Sequence, residues 1–184
     1  MAFTTPNMEK NGLMLLGAKM REVALLAGTE NMIGKVEFEE ACKSITEFED
    51  ADNELLSNMF TMFDLDGENQ IIYNEFAAGV GGCFLTGSLI EKLNFAFTLY
   101  DNQETDEFSR LDVKKILHAL NNVASYCGDP VVGPDKIEVV VQDTFANVDG
   151  QIISKDMAVQ VIADHQETST FCAGKGSVKF SRSV

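Results

Sequence analysis

Asp64-Leu-Asp-Gly-Glu-Asn-Gln-Ile-Ile-Tyr-Asn-Glu75 is the stretch that decides the reading of this chain. Oxygen-bearing side chains stand at its first, third and fifth places, Asp64, Asp66 and Glu68, and Glu75 closes it at the twelfth. A hard divalent cation the size of calcium takes six to eight oxygens. A twelve-residue loop between two helices supplies them from places 1, 3, 5, 7 and 12, with water through 9 and a tight turn at 6. Gln70 offers its backbone carbonyl at place 7, and Glu75 is long enough to bind through both oxygens. Place 6 holds Asn69, which tolerates a left-handed turn better than most residues. Place 9 holds Ile72, whose side chain carries no ligand water, so weakened binding is expected. With Asp64 first, Ile71 rather than Ile72 takes the eighth place.

On the N-terminal side of this loop, residues 53–63 put Leu55, Leu56, Met59, Phe60 and Phe63 on one helical face. Leu89, Leu93, Phe97 and Tyr100 repeat the pattern over 89–100, and Ile137, Val140, Val141 and Phe145 over 136–145. Helices leading out of the loops are expected at 36–47, 73–84, 111–126 and 155–165. The repeat is therefore an apolar helix, a polar twelve-residue loop and a second helix, with loops at 29–40, 64–75, 101–112 and 145–156. The expected fold is all-α, with four EF-hand helix–loop–helix units in two paired lobes. The division is residues 8–86 for the first pair, 87–165 for the second and 166–184 for an extended tail. Short bridges are expected between Val36 and Ile71, and between Phe108 and Ile152, the eighth places of each pair. Gly79, Gly81 and Gly82 are expected to weaken the end of helix 73–84, each by roughly 1 kcal/mol against Ala, and to mark the joint between lobes.

The other loops are poorer in donors. In 101–112, Asp101, Thr105, Glu107, Ser109 and Asp112 offer oxygens and Gln103 is a neutral ligand at place 3. Asp112 is shorter than Glu at place 12, which suits small octahedral Mg²⁺ as well as Ca²⁺. In 29–40, Gly34, Val36 and Glu40 keep the pattern but Ile33 falls at place 5. In 145–156, Asn147, Asp149, Gly150, Ile152 and Asp156 keep it, but Phe145 removes the first carboxylate. These two loops are expected to be structural, each covering its partner's apolar face.

A formal net charge of −15, with 14 Lys+Arg against 29 Asp+Glu, repels phosphate backbones and anionic lipid. Nucleic acid is therefore not an expected partner. Cys42, Cys83, Cys127 and Cys172 form no CxxC or Cys/His cluster, so no zinc site is expected. They read as free thiols of a reduced, cytoplasmic protein, with Cys83 and Cys127 the two to weigh for redox sensitivity. No apolar run approaches a membrane span, Ala2 does not invite myristoylation, and no membrane anchor is expected. His118 and His165 read as lone helix-face residues. With no nucleophile–base constellation, P-loop or zinc motif, an enzyme is not expected. Thirteen Phe and eight Met supply soft filler for a core or for a groove that holds an amphipathic helix.

Gly87-Ser-Leu-Ile-Glu-Lys-Leu-Asn-Phe-Ala-Phe-Thr-Leu-Tyr-Asp101 resembles the helix before the third loop in the group of neuronal calcium sensors, calcineurin B and calaxin, within the calmodulin superfamily. Phe84-Leu-Thr-Gly-Ser-Leu-Ile-Glu-Lys92 is especially similar to calaxin-like proteins. That resemblance implies a calcium-binding component of the ciliary or flagellar axoneme. Its partner would be an amphipathic helix or coiled coil of the outer dynein arm or its docking complex. The calcineurin B side of the group implies instead a regulatory subunit of a signalling enzyme, and calmodulin a free sensor. Lys175, Lys179 and Arg182 read first as part of a solvated tail; on the axonemal reading they would instead meet an acidic microtubule surface.

Overall fold

The computed structural model describes residues 10–29, 31–45, 53–64, 66–85, 87–101, 104–127 and 129–171. Along them a helix, a three-residue strand and a second helix follow one another four times. The first set is α1 (Lys10–Leu26), β1 (Met32–Gly34) and α2 (Lys35–Lys43). The second is α3 (Asn53–Phe63), β2 (Gln70–Ile72) and α4 (Tyr73–Phe84). The third is α5 (Leu89–Tyr100), β3 (Glu107–Ser109) and α6 (Arg110–Cys127). The fourth is α7 (Pro134–Thr144), β4 (Ile152–Ser154) and α8 (Lys155–Asp164). A mostly helical chain with two small antiparallel sheets, β1 with β2 and β3 with β4, is the architecture expected of an EF-hand fold. None of the helices among the described residues is long and apolar enough to cross a membrane.

The strand pairing corrects two of the loop registers. Ile33 faces Ile71, and Phe108 faces Ile153. Val36 is not a bridge residue: it lies in the first turn of α2 and is 65% exposed, whereas Ile33 is 2% exposed. Burial of an apolar side chain at the bridge decides the register, and the loop assigned to 29–40 accordingly shifts three residues towards the N-terminus. Gly34, expected to make the tight turn, is extended at φ −78° and sits at the start of α2; the left-handed glycine is Gly28, at φ 72°. In the last loop Ile152 is 47% exposed and Ile153 is 2% exposed. Loop 145–156 thus carries one extra residue between Gly150 and its bridge, and Phe145 leaves the first place while Asn147 and Asp156 lose the ligand places given to them.

The chain divides into two compact units between Ala77 and Ala78, within α4. In the unit of residues 8–77, α1 packs on α2 and α2 on α3. Phe38, Phe60, Phe63 and Phe76 meet edge to face, with centroids 5.5 Å apart for Phe38–Phe60, 4.8 Å for Phe38–Phe76 and 5.0 Å for Phe63–Phe76. Such pairs add roughly 0.5–1.5 kcal/mol each beyond their buried area. Leu56, Met59 and Phe60 are buried as their helical spacing requires; the side chain of Leu55 lies outside the described ones.

In the other unit α5 packs on α8 and α6, α6 on α7, and α7 on α8. Phe97 and Phe108 stack edge to face at 4.9 Å. The glycines of α4 act differently from expectation. The helix continues through them to Phe84, and Gly79 and Gly81 are buried against α6 and α5. A Cβ on Gly79 would lie 2.1 Å from Val123 Cγ2, and one on Gly81 2.1 Å from Phe95 Cε1. They are sites of close approach, and the boundary between the two units falls just before them in the same helix.

The tail is corrected over its first residues. Residues Gln166–Thr168 form a 3-10 turn and Phe171 is buried, so 166–171 is folded rather than extended. His165 is not alone: its Nε2 lies 3.1 Å from Asp143 Oδ2, and its Nδ1 accepts the Glu167 N–H. Lys175, Lys179 and Arg182 lie outside the described residues.

Candidate metal centre

In loop 64–75, α3 ends where the Asp64 N–H donates to the Phe60 carbonyl. The chain then turns back through two left-handed residues, Gly67 at φ 75° and Asn69 at φ 57°. The turn is fastened by carboxylates. Asp64 Oδ2 accepts the Asn69 N–H at 3.2 Å, and Asp66 Oδ1 accepts the Glu68 N–H at 3.2 Å. The strand β2 follows, with Gln70 opposite Gly34, and α4 begins at Tyr73 with Glu75 in its first turn. A carboxylate there is favoured by the partial positive charge of the helix N-terminus.

The loop brings together the backbone but not the carboxylates. Asp66, Glu68 and Gln70 are exposed, and Glu75 is half-buried. Among the described residues no three His, Cys, Asp or Glu side chains are gathered closely enough to hold an ion. Asp64 is the exception in kind. Its Oδ1 is buried and accepts no hydrogen bond among the described residues. A buried carboxylate oxygen left without a partner costs about 1–3 kcal/mol or more. An oxygen-seeking cation would remove that cost, so the donor set fits calcium: Asp64, Asp66, Glu68, the Gln70 carbonyl and Glu75 would hold it.

Loop 101–112 has similar residues in a different state. Asp101 Oδ1 accepts the Thr105 N–H and Oδ2 the Asp106 N–H, both at 3.0 Å. Glu104 and Asp106 are left-handed, at φ 54° and 55°. Asp112 is committed to the start of α6. Its Oδ2 accepts from Ser109 N at 2.9 Å and from Ser109 Oγ at 2.6 Å, while Ser109 Oγ faces the Asp112 N–H at 3.3 Å. Lys155 Nζ stands 3.9 Å from Asp106 Oδ1. Glu107 and Thr105 are exposed, and Gln103 lies outside the described residues. The pairing of Ser109 with Asp112 is a capping box, and the sequence reading missed it, although Ser-x-x-Asp at a helix start is its usual signal.

The other two loops are closed without ligand carboxylates. In the first, the Thr29 hydroxyl reaches the carbonyls of Ala24, at 3.1 Å, and Met32. The last holds Phe145, 3% exposed, with the Arg110 guanidinium 4.8 Å above its ring. Of the cysteines, Cys42 is buried, and burial with the nearby Glu39 charge pushes its thiol well above the ordinary range, which keeps it unreactive. The side chains of Cys83 and Cys127, and all of Cys172, lie outside the described residues.

A loop whose first carboxylate fastens the N–H of a left-handed sixth residue, and whose eighth residue pairs with that of a second loop, is consistent with an EF-hand fold. Comparison with known proteins agrees at that level. The chain is 26% identical over 104 residues to guanylyl cyclase-activating protein 2 of Lithobates pipiens, covering 53% of this chain and 52% of that protein. It is 26% identical over 106 residues to the same protein of Gallus gallus, covering 54% and 53%. Over 66 residues it is 31% identical to the type 2 calcineurin B subunit of Bos taurus, covering 36% and 39%. The chain thus spans about half the length of the first two relatives, and less of the third. No protein-family model matches it. These relatives are EF-hand proteins of the calmodulin superfamily, and the similarity to them is weak.

The narrower likeness at residues 84–92 has a structural explanation. Ser88 caps α5 by accepting the Glu91 N–H, and the Glu91 carboxylate folds back onto the Ser88 N–H at 2.7 Å. A Cβ on Gly87 would meet that carboxylate at 2.7 Å. Gly87, Ser88 and Glu91 are therefore accounted for by helix capping.

Proposed function

We propose that this chain is a calcium-binding regulatory protein, not an enzyme, built from four EF-hand units of which loop 64–75 takes the ion. The carrying observation is the buried Asp64 Oδ1, an acceptor without a donor among the described residues, at the first place of a loop with Asp66, Glu68 and Glu75 at ligand spacing. Loop 101–112 stays closed on its own hydrogen bonds or takes Mg²⁺, and the other two units serve the fold. The working partner is an amphipathic helix or coiled coil of a larger protein, held by the Phe- and Met-rich helices. The similarity to the type 2 calcineurin B subunit supports a regulatory role of that kind. Calorimetry on the full chain tests the reading: one strong Ca²⁺ site is expected, and it should be lost in Glu75→Gln. Equal affinity in the two proteins would overturn the assignment.

A second reading concerns placement. The resemblance of residues 84–92 to calaxin-like proteins implies the axoneme, at the outer dynein arm or its docking complex, although helix capping by itself accounts for Gly87, Ser88 and Glu91 there. Detergent-extracted axonemes should then retain the protein and release it with the docking complex in high salt. Recovery in the detergent-soluble fraction, bound to a phosphatase or kinase, would replace that placement with the calcineurin-B-like one.

A further inference from the structure

Helix α6 is a basic element of an acidic chain. It carries Arg110, Lys114 and Lys115 against a single carboxylate, Asp112, while the chain as a whole holds 14 Lys+Arg against 29 Asp+Glu. Asp112 is spent on Ser109 at the helix start. Arg110, Lys114 and His118 stand four residues apart, so they form one row along the helix with about 6 Å between neighbours. Leu111 and Lys115 form the row beside it, Leu111 59% exposed and Lys115 exposed as well.

The cations of this face differ in how far the protein already uses them. Arg110 is exposed, and its guanidinium lies 4.8 Å above the Phe145 ring. It makes no hydrogen bond among the described residues, so the ring holds its plane and leaves the N–H fork unused. Lys115 has neither hydrogen bond nor ion pair among the described residues. Lys114 already holds a carboxylate, that of Glu138 on α7. The hydrogen bond and charge of Lys114, with the charges of His118 and Arg110 behind them, keep the Glu138 carboxyl below its ordinary range although it is well exposed.

We propose that the exposed face of α6 is a docking surface for an acidic amphipathic helix of a partner protein. Carboxylates four residues apart on such a helix repeat at about the spacing of Arg110 and Lys114, and an apolar residue between them covers Leu111. Arg110 takes one carboxylate through its fork, and Lys114 and Lys115 take the next. Nucleic acid or anionic lipid fits less well, because these few cations neutralise little of an extended phosphate array and the rest of the chain repels it. At physiological salt that repulsion is screened beyond about 8 Å, so a short acidic segment meets the local cations. The surface lies outside the calcium loop 64–75, and the inference does not rest on binding there.

The experiment is an amide-shift NMR titration of the full chain with two synthetic helical peptides of Ala and Leu. One carries Glu at positions four residues apart, and the other carries Gln in the same places. The Glu peptide should shift the amides of residues 110–118, and the Gln peptide should not. Arg110→Gln combined with Lys115→Gln should weaken the Glu peptide by about fivefold or more, as the loss of two exposed ion pairs allows. Arg110→Lys keeps the charge but loses the fork, and should weaken it less. Glu138→Gln removes the internal competitor for Lys114 and should tighten the Glu peptide by about twofold. No shift with the Glu peptide, equal binding of the Gln peptide, or shifts centred outside α6 overturns the proposal. So does wild-type affinity in the double variant or in Glu138→Gln. Binding to phosphatidylserine vesicles, or self-association of the chain alone in sedimentation, that the double variant abolishes also overturns it, and gives these cations to a membrane or to a second copy.

Discussion

Loops 64–75 and 101–112 start from nearly the same chemistry and reach opposite states. Each begins with Asp, each makes its turn at a left-handed non-glycine residue, Asn69 or Asp106, and each places an apolar residue at the strand bridge. In the second loop both oxygens of Asp101 hold backbone N–H groups and Asp112 holds Ser109. In the first, one oxygen of Asp64 holds Asn69 while the other is buried and unmatched among the described residues. The lesson is that counting carboxylates does not locate a cation. Within these two loops the candidate is set apart by a carboxylate oxygen left without a partner among the described residues, a state that Asp129 Oδ2 shares outside any such loop.

The largest test of that contrast is calcium removal. A ligand that binds only the folded state at a hundredfold excess over its dissociation constant adds about 2.7 kcal/mol of stability. Denaturant unfolding of the wild type should therefore show a gain of that order on saturating with calcium, and a chelator should abolish it. Glu75→Gln should show little gain at the same calcium concentration. A gain equal to the wild type in that variant would move the ion away from loop 64–75.

Next in size is an attempt to convert the second loop into the first. Asp112→Glu lengthens the side chain at place 12 so that it can offer two oxygens. With loop 64–75 silenced by Glu75→Gln, the change should raise calcium affinity at loop 101–112 by about tenfold, or roughly 1.4 kcal/mol. No gain would show that the hydrogen bonds on Asp101, rather than the short Asp112, keep this loop closed. Ser109→Ala is smaller again. It removes the cap of α6 and should lower stability by about 1 kcal/mol, measured by urea unfolding. An unchanged midpoint would show that Asp112 alone sustains the helix start.

Most of the helices are legible from apolar periodicity, because the faces they bury recur every three to four residues. Residues 53–63, 73–84 and 89–100 match α3, α4 and α5 at both ends. The bridges of the poorer loops escape such a reading for a physical reason. Matching Gly34 and Gly150 to the turn place assumes that glycine marks the left-handed residue nearest the bridge. Gly34 instead starts a helix, and Gly150 stands one residue too far from Ile153. Burial of Ile33 and Ile153 sets the register, and a sequence offering Ile33 and Val36, or Ile152 and Ile153, does not say which is buried. Propensity alone makes the glycines of α4 weak points, while their value lies in what Val123 and Phe95 place against them. The candidate ligands of loop 64–75 are legible because each is a residue type at a fixed spacing. The commitments of Asp101 and Asp112 to backbone and cap are not, since they depend on where the N–H groups point.

The smallest effect belongs to Lys155, which nothing in its sequence neighbourhood places near loop 101–112. It reaches the loop because β4 pairs with β3 and α8 starts immediately after β4. Its Nζ is 3.9 Å from Asp106 Oδ1, with side chains 29% and 51% exposed. A fixed ammonium beside the turn opposes a second cation there, but water screens it. Exposed ion pairs are worth about 0–1 kcal/mol. Lys155→Met keeps most of the apolar stem and removes the charge. In the Glu75→Gln background it should raise Mg²⁺ affinity at loop 101–112 by less than about fivefold, and the gain should fade as salt is added. A fall in affinity would show that Lys155 supports the loop instead of opposing the ion. A gain far beyond fivefold that survives high salt would mean that the ammonium stands in the cation's own place. The two loops would then differ less in spare carboxylate capacity than in which of them already holds a positive charge.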